Sequence, residues 1–213
     1  MSIIPVRLNR SKYIVTLRRK LKYCIAATLS YVAPHAALAN DFIDRICRDL
    51  LVVYKGCVFL VPDYWSIRFF DPSDEAFVWR YMNVHEGTFV DVGAHVGKYA
   101  VTMARKLKGD GMVLAFEPHP VNFKYLLVNL RLNGLSNVLP FNMACYSSNG
   151  CLDLYVAQES SLHSLILPRS EGKIKVKACT IDFMVEKLRL KDIRLRLMLK
   201  ELKLKSLKVP FKQ

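Results

Sequence analysis

The sequence lacks the cysteine pairs of a zinc site or a thioredoxin-type redox site. Its six cysteines are scattered and none of them forms a C-x-x-C pair, so the usual spacings of both kinds of site are absent. Cysteines distributed in this way are typical of buried free thiols in a reducing compartment. The short separation of Cys145 and Cys151 also allows a disulfide between these two. We therefore expect no metal site and a cytoplasmic protein.

The sequence also lacks an apolar run long enough to cross a membrane. Residues 23–33 form an apolar run of eleven that Pro34 follows, whereas a spanning helix needs about 20 residues. Basic residues precede this run at positions 18, 19, 20 and 22. The pattern predicts a basic amphipathic element that lies on a membrane surface or packs on the domain. Residues 37–39, Ala-Leu-Ala, resemble a signal-peptidase site, so an export signal is the alternative.

Acidic residues are few, 18 against 32 Lys and Arg, and the formal net charge is +14. The excess is confined to the two ends of the chain. Residues 1–22 hold seven basic residues and no acid, residues 187–213 hold ten against two, and residues 23–186 therefore carry −1. A nucleic-acid-binding domain would place the basic excess on the domain itself. The neutral middle disfavours that function, although the basic ends keep it as an alternative.

Glycines are also few, nine in 213 residues, but two of them stand where a cofactor loop needs them. An apolar run ends at Asp91, Gly93 and Gly97 follow, and a helical pattern then opens. Glycine allows positive φ and close approach of a ligand, and the free N–H groups of a helix start point at that ligand. A second apolar run ends at Glu117, where an acid can accept hydrogen bonds from ribose hydroxyls. This arrangement predicts a nucleotide site at the carboxyl edge of a parallel sheet.

The glycine spacing distinguishes between two nucleotide cofactors. The loop reads D-x-G-x-x-x-G, not the G-x-G-x-x-G of dinucleotide folds. S-adenosyl-L-methionine (SAM) has no pyrophosphate for such a loop to hold. The spacing therefore favours SAM over NAD, and an NAD-linked enzyme is a less favoured alternative.

These segments resemble the FkbM-type family of class I SAM-dependent methyltransferases. The family pattern runs D-V-G-A-N-x-G-x-Y, A-F-E-P-x-P, L-x-x-N-x-x-x-N and a later T-x-D. His95 stands where the family has Asn. The resemblance covers about residues 75–190 and implies methyl transfer from SAM, often to a hydroxyl of a sugar or natural product. The matching positions are Asp91, Gly93, Ala94, Gly97, Tyr99, Phe116, Glu117, Pro118, Pro120, Leu126, Asn129, Asn133, Thr180 and Asp182.

We expect a set of cofactor-binding residues along the ends of the predicted strands. Glu117 is the expected ribose acceptor, while Asp91 orients the loop or reaches the methionine ammonium, with capping of the next turn as its alternative role. Asn142 or Ala144, at the end of the third strand, lies where an adenine would be bound. His119 and His163 are weak candidates for a general base, and the catalytic residue is unassigned. The expected cofactor-binding residues are Asp91, Gly93, Ala94, His95, Gly97, Tyr99, Glu117, Pro118 and Asn142.

The expected fold is an α/β, Rossmann-like class I methyltransferase sheet. Strands at 88–92, 112–116 and 138–143 alternate with helices at 96–107 and 120–132, and this order requires parallel strands. A helix over 36–51 and a hairpin at 51–61 precede them, together with a helix from about 71 to 82. A second hairpin at 152–156 and 174–178 and a helix from 180 follow. We divide the chain into a basic, helical and hairpin region at 1–84, a partial SAM-binding core at 85–195 and a Leu/Lys tail at 196–213.

The tail departs from the family. There the T-x-D segment is followed by a strand and the motif K-I-D-V-E-G-A-E, whereas this chain reads R-L-R-L-M-L-K-E-L-K-L-K from residue 194. Codons can be chosen for residues 196–210 that encode K-I-D-V-E-G-A-E-V-E-V-L-K-G-A when the reading starts one base earlier. Two bases of each shifted codon are the first two bases of an existing codon, so only the wobble base is free to be chosen. We therefore expect an out-of-frame tail, a C-terminally truncated chain and a sheet that lacks its fourth core strand. A genuine amphipathic Leu/Lys tail is the alternative.

Taken together, these features predict a SAM-dependent methyltransferase that acts on oxygen of a sugar, lipid or small metabolite. The acceptor would be a small molecule or a glycan. The missing acids of the K-I-D-V-E-G-A-E motif predict impaired activity, weak SAM affinity or aggregation. The alternatives are an RNA methyltransferase and a non-enzymatic remnant that binds a membrane surface or a partner through its basic ends.

Overall fold

A computed structural model describes residues 17–32, 37–70, 85–157, 163, 165, 172–190 and 193–196. The predicted helix at 71–82, most of the polar loop between the two strands of the second hairpin and the tail beyond residue 196 lie outside these residues. All statements below concern the described residues.

The centre of the fold is a four-stranded parallel sheet in the order β5-β4-β3-β9. Helix α3 connects β3 to β4 and helix α4 connects β4 to β5, as the alternating sequence pattern predicts. All five residues of β3 are buried, in agreement with the continuous apolar runs of parallel strands that are covered on both faces. The bounds are β3 Thr88–Val92, α3 Lys98–Lys106, β4 Met112–Phe116, α4 Pro120–Leu132, β5 Val138–Phe141 and β9 Ile193–Arg196.

The fourth core strand, which we expected to be missing, is present in the described chain. Strand β9 lies beside β3 in parallel register, with Thr88 opposite Ile193 and Asp91 opposite Arg196. The prediction was wrong because a strand here does not need the K-I-D-V-E-G-A-E motif. The residues Ile193–Arg196 already pair with β3 through their backbone.

Two apolar layers cover the two faces of this sheet. Phe89, Val113 and Ala115 belong to a core cluster that includes residues of α3 and α4. The alternate residues Val90 and Leu114 belong to a second cluster. There they join residues of helix α5, Ile181–Leu188. Because successive side chains of a strand point to opposite faces, both faces of the sheet are packed, as in a doubly wound α/β fold.

The N-terminal elements pack on the first of these layers. Residues of the N-terminal helices and of the β1–β2 hairpin share one core cluster with α3 and α4. The predicted helix and hairpin of this region are confirmed, and the apolar run at 23–33 is largely helical. No helix among the described residues is long and apolar enough to cross a membrane. The elements are α1 Leu17–Val32, α2 Ala37–Cys47, β1 Leu50–Tyr54, β2 Cys57–Val61 and a 3₁₀ helix Trp65–Phe70.

The hairpin is fastened to α4 by two asparagines one helical turn apart. The side-chain oxygens of Asn129 and Asn133 accept from the backbone N–H groups of Leu60 (2.7 Å) and Val58 (2.9 Å). Their amide groups donate back to the carbonyls of the same two residues, at 3.0 and 2.7 Å. The two side-chain amides thus hydrogen-bond the backbone of β2 as a neighbouring strand would. The L-x-x-N-x-x-x-N pattern of the sequence therefore serves the fold.

A smaller three-stranded sheet has the order β6-β8-β7, and its antiparallel β7–β8 pair confirms the predicted second hairpin. All six cysteines are free. Cys145 lies opposite Cys179, while the register partner of Cys151 is Lys177, so the structure contains no Cys145–Cys151 disulfide. The strands are β6 Ala144–Cys145, β7 Gly150–Tyr155 and β8 Lys173–Cys179.

Candidate functional site

The candidate site lies at the carboxyl edge of the parallel sheet, where β3 and β4 end side by side. Val92 pairs with Phe116, the last residue of β4. The chain then turns so that the N–H groups of Gly93 and Ala94 both donate to the Phe116 carbonyl, at 2.8 and 2.9 Å. Gly93 has a φ of +76° and is exposed. The loop after β3 is thereby closed onto β4, and its glycine faces outward.

Asp91 performs the capping role that we gave as its alternative. Its side chain is fully buried, and Oδ2 accepts from the N–H of Ala100 at 3.0 Å. Ala100 is the third residue of α3, whose N-terminal cap position is Gly97. A carboxylate at this place satisfies a free helix N–H and favours the positive end of the helix dipole. Contact of Asp91 with a cofactor stays a prediction.

Gly97 is required by packing. Its φ is +88°, and a Cβ atom at this residue would lie 2.6 Å from Cδ1 of Leu126 on α4. A side chain here would therefore be strained by the backbone conformation and would force the Leu126 side chain to move. Leu126 belongs to the same L-x-x-N-x-x-x-N pattern as Asn129, so the two motifs meet at this contact. The close approach that the glycine allows is that of α4, and approach of a cofactor stays a prediction.

His95 occupies the left-handed backbone region with a φ of +54°. Asn is among the side chains best tolerated in this region, and His is also enriched there. This explains physically why His can stand where the family has Asn. The backbone N–H of His95 donates to Glu117 Oε2 at 2.7 Å, and its ring lies 5.5 Å from that of Phe69.

Glu117 is the centre of the site. It is 5% exposed, and its two oxygens accept separately from the backbone N–H groups of His95 (2.7 Å) and His119 (2.9 Å). Burial raises the pKa of Glu117 to about 7, against the lowering effect of these two donors and of the Asn122 side chain, while the charge of Asp91 adds to the rise. One carboxylate therefore joins the loops after β3 and β4.

Asn142 and Pro118 complete this edge. The Asn142 amide donates to the carbonyls of Glu117 (2.8 Å) and Pro118 (3.1 Å). In addition, the Glu117 N–H donates to the Phe141 carbonyl at 3.0 Å. Asn142 is exposed and lies beside Glu117, while its contact with an adenine stays a prediction. Its amide group also holds the backbone of the Glu117 loop.

Two expected site residues, Ala94 and Tyr99, belong to the hydrophobic core. They are 4% and 7% exposed and join the cluster that contains the N-terminal hairpin. Lys98, the neighbour of Tyr99, which we did not single out, is 4% exposed. The Lys98 ammonium lies 4.8 Å from the centre of the Tyr54 ring and 5.7 Å from that of Phe70. The sequence did not indicate that Lys98 is buried against aromatic rings, because a lysine in the first turn of a helix usually faces solvent.

The two histidines that we weighed separately are in contact. The ring centres of His119 and His163 are 3.9 Å apart, and His163 Nδ1 accepts from the Ala157 N–H at 3.1 Å. Burial lowers the pKa of His119, which favours its neutral form. The backbone N–H of His119 donates to Glu117, so the histidine pair borders the candidate site. No group of three or more potential metal ligands occurs in the described part of the chain.

Comparisons with known proteins agree on methyltransferases. The family described as the methyltransferase FkbM domain matches residues 91–200, slightly more than half of the chain. Methyltransferase sdnD of Sordaria araneosa is 36% identical over 90 residues, which are 42% of this chain and 34% of that protein. The chain thus spans about a third of the length of this relative.

The solved structures that match include a SAM-dependent methyltransferase and proteins in complex with AdoMet or MeSAdo. TYW2 of M. jannaschii in complex with AdoMet is 25% identical, with a TM-score of 0.36 over 43% of this chain and 41% of that chain. TYW2 of P. horikoshii in complex with MeSAdo is 19% identical, with a TM-score of 0.38 over 54% and 50%. A SAM-dependent methyltransferase from Aquifex aeolicus is 23% identical, with a TM-score of 0.32 over 40% and 47%.

Proposed function

The chain belongs to the FkbM methyltransferase family, and we propose that it transfers the methyl group of SAM to an oxygen atom of a sugar, lipid or other small metabolite. The acceptor would be a free small molecule or a glycan. The oxygen acceptor rests on the family, and the use of SAM rests on the family and on the geometry around Glu117.

The residues at the carboxyl edge fit SAM. An ionised carboxylate offers about four acceptor positions. The backbone N–H groups of His95 and His119 and the Asn122 side chain occupy three of them on Glu117. The remaining position suits one hydroxyl of a ribose. Gly93 is exposed at the adjacent turn, where backbone without a side chain allows close approach. This carboxylate, held by both loops, is the observation that carries the proposal.

Bound SAM would supply the electrophilic methyl group, so the protein's tasks are orientation and exclusion of water. Glu117 would hold the ribose and Asn142 would lie at the adenine. Asp91 fixes the start of α3 through the Ala100 N–H, and so sets the loop against which the methionine part would lie. Each of these groups is anchored by backbone hydrogen bonds, and the site is therefore largely formed before the cofactor binds.

Titration calorimetry of the 213-residue chain with SAM and with NAD tests the proposal. We expect SAM to bind and NAD not to compete. Glu117→Ala removes the ribose acceptor and should weaken SAM binding about 10- to 100-fold. Glu86→Ala removes an exposed acid just before β3 and serves as the matched control. Tighter binding of NAD, or unchanged SAM binding in a folded Glu117→Ala variant, would overturn the cofactor assignment.

The acceptor is tested by incubating the protein with SAM that carries a labelled methyl group and with panels of sugars, lipids and RNA. Label in a sugar, lipid or small metabolite is the expected result. The basic ends of the chain favour RNA as the second candidate. Methylated RNA, together with salt-sensitive RNA binding that survives deletion of residues 197–213, which leaves β9 in place, would establish that alternative.

A further inference from the structure

The outer side of helix α1 exposes apolar side chains that the fold does not use. Tyr23, Ala26 and Ala27 are buried, at most 3% exposed, and fasten the helix to the core. Leu21 and Ile25 are one turn apart on the opposite side and are 60% and 42% exposed. Because the inner side is packed, these two residues are presented on a fixed support. We call Leu21 and Ile25 the α1 outer face. The basic residue Lys22 lies at its edge and is half-buried.

The sequence of this helix and of the segment before it is rich in basic residues. Residues 1–22 contain seven basic residues and no acid, and four of these occupy positions 18, 19, 20 and 22, within the first two turns of α1. Residues 23–186 carry a charge of only −1. The partner of this face should therefore be anionic and should also accept aliphatic side chains.

We propose that the α1 outer face docks onto an anionic phospholipid membrane. A helix with aliphatic residues on one side and adjacent Lys and Arg lies in the membrane plane, with its apolar side chains in the headgroup boundary. Each nearby basic residue adds attraction to anionic lipid. Nucleic acid would use the charge but would leave Leu21 and Ile25 in water. The docking is independent of methyl transfer and would hold the site close to membrane-bound acceptors.

Vesicle cosedimentation of the full 213-residue chain tests the proposal. We expect binding to phosphatidylcholine vesicles that contain phosphatidylglycerol, loss of binding at high salt, and little binding to phosphatidylcholine alone. Leu21→Ser and Ile25→Ser should each weaken binding on the order of tenfold. Leu132→Ser is the matched control, since Leu132 is 50% exposed at the end of α4. Lys22→Gln should weaken binding about fivefold, and Lys177→Gln, an exposed position on β8, should not.

Two further outcomes would overturn the proposal. Binding that Leu21→Ser and Ile25→Ser leave unchanged would assign the interaction to another part of the chain. A dimer that these variants convert to a monomer, without a change in vesicle binding, would show that the face contacts a second copy. Thermal unfolding of each variant confirms that the helix still packs, because neither substitution touches the buried side of α1.

Discussion

At the residue scale, Glu117 makes the stability of the protein depend on pH. Burial raises its pKa from 4.5 to about 7, so between these pH values the folded protein holds a proton that the unfolded chain has lost. The resulting contribution to stability is fully present below about pH 4.5 and is lost as pH rises through about 7. We expect the unfolding free energy of the wild type to fall by on the order of 3 kcal/mol as the pH rises from about 4 to about 8. Glu117→Gln should not show this fall.

Urea unfolding between about pH 4 and about pH 8 measures this slope. Glu86→Gln, at an exposed acid, is the control and should keep the wild-type dependence. Gln also places an amide against one of the two N–H donors, so the variant loses stability at every pH. Only the difference in slope reports the proton, and equal slopes in wild type and Glu117→Gln would contradict the prediction.

SAM affinity should depend on pH in the opposite direction. In the proposed complex a ribose hydroxyl donates to the ionised carboxylate of Glu117, and below about pH 7 that form must be generated by losing a proton. The dissociation constant should therefore rise up to about tenfold per pH unit below that point. Calorimetry in buffers of different ionisation enthalpy should detect one proton released on binding. Uptake of a proton, or a flat profile, would mean that the ribose does not contact Glu117.

His95 gives a second prediction at this scale, based on its positive φ. Replacement by Asn, which tolerates the left-handed region better, should stabilise the protein by about 0.5–1 kcal/mol. Replacement by Val, which is β-branched, should destabilise it by more than about 1 kcal/mol. Thermal unfolding measures both changes. His85→Asn, at an exposed position before β3, should leave the melting temperature unchanged.

The positions of Asp91 and Glu117 at strand ends could be predicted from the sequence, but most of the contacts around them could not. Asp91 and Glu117 follow from their places at strand ends. That Gly97 faces Leu126, or that the backbone N–H groups of two loops meet on Glu117, depends on contacts between distant segments. The contact of His119 with His163 is of the same kind, since 44 positions separate them and no local pattern links them.

At the element scale, β3, β4 and α4 agree with their predicted bounds to the residue. Each is an uninterrupted apolar or amphipathic segment between clear stops such as Pro120 and Asn133-Gly134. Helix α3 begins at Lys98, two residues later than predicted, because Gly97 takes a left-handed conformation and cannot belong to the helix. Strand β9 escaped prediction because Ile-Arg-Leu-Arg is indistinguishable from the start of the Leu/Lys tail, and only its pairing with β3 identifies it.

The asparagine pair of α4 provides the prediction at this scale. Asn129→Ala deletes the acceptor of the Leu60 N–H and the donor to the Leu60 and Val96 carbonyls. Unsatisfied buried backbone groups cost about 1–3 kcal/mol each. We expect a loss of unfolding free energy of about 3 kcal/mol and faster hydrogen exchange at Leu60. Lys124→Ala, at an exposed position of the same helix, should change neither.

At the scale of the whole molecule, the register of β9 gives the reading-frame hypothesis a structural consequence. Arg196 lies opposite Asp91, and Gly93 follows two residues after Asp91 at the carboxyl edge. In the alternative frame the residues from this position read K-I-D-V-E. Continued parallel pairing would bring its aspartate level with Gly93, beside the candidate SAM site, whereas the Leu/Lys reading brings no acid there until Glu201.

We therefore predict that the gene, sequenced from the codons for Thr180 onward, encodes K-I-D-V-E-G-A-E one base out of the present frame. The protein made in that frame should bind SAM more tightly than the 213-residue chain, because its acids would attract the positively charged sulfonium and ammonium groups of SAM. It should aggregate less, because strands encoded further along that frame would cover the edge of the sheet at β9. Calorimetry and light scattering on the two proteins measure the difference. A gene that encodes K-I-D-V-E-G-A-E in no frame would refute the hypothesis, and the Leu/Lys tail would then have to be treated as native.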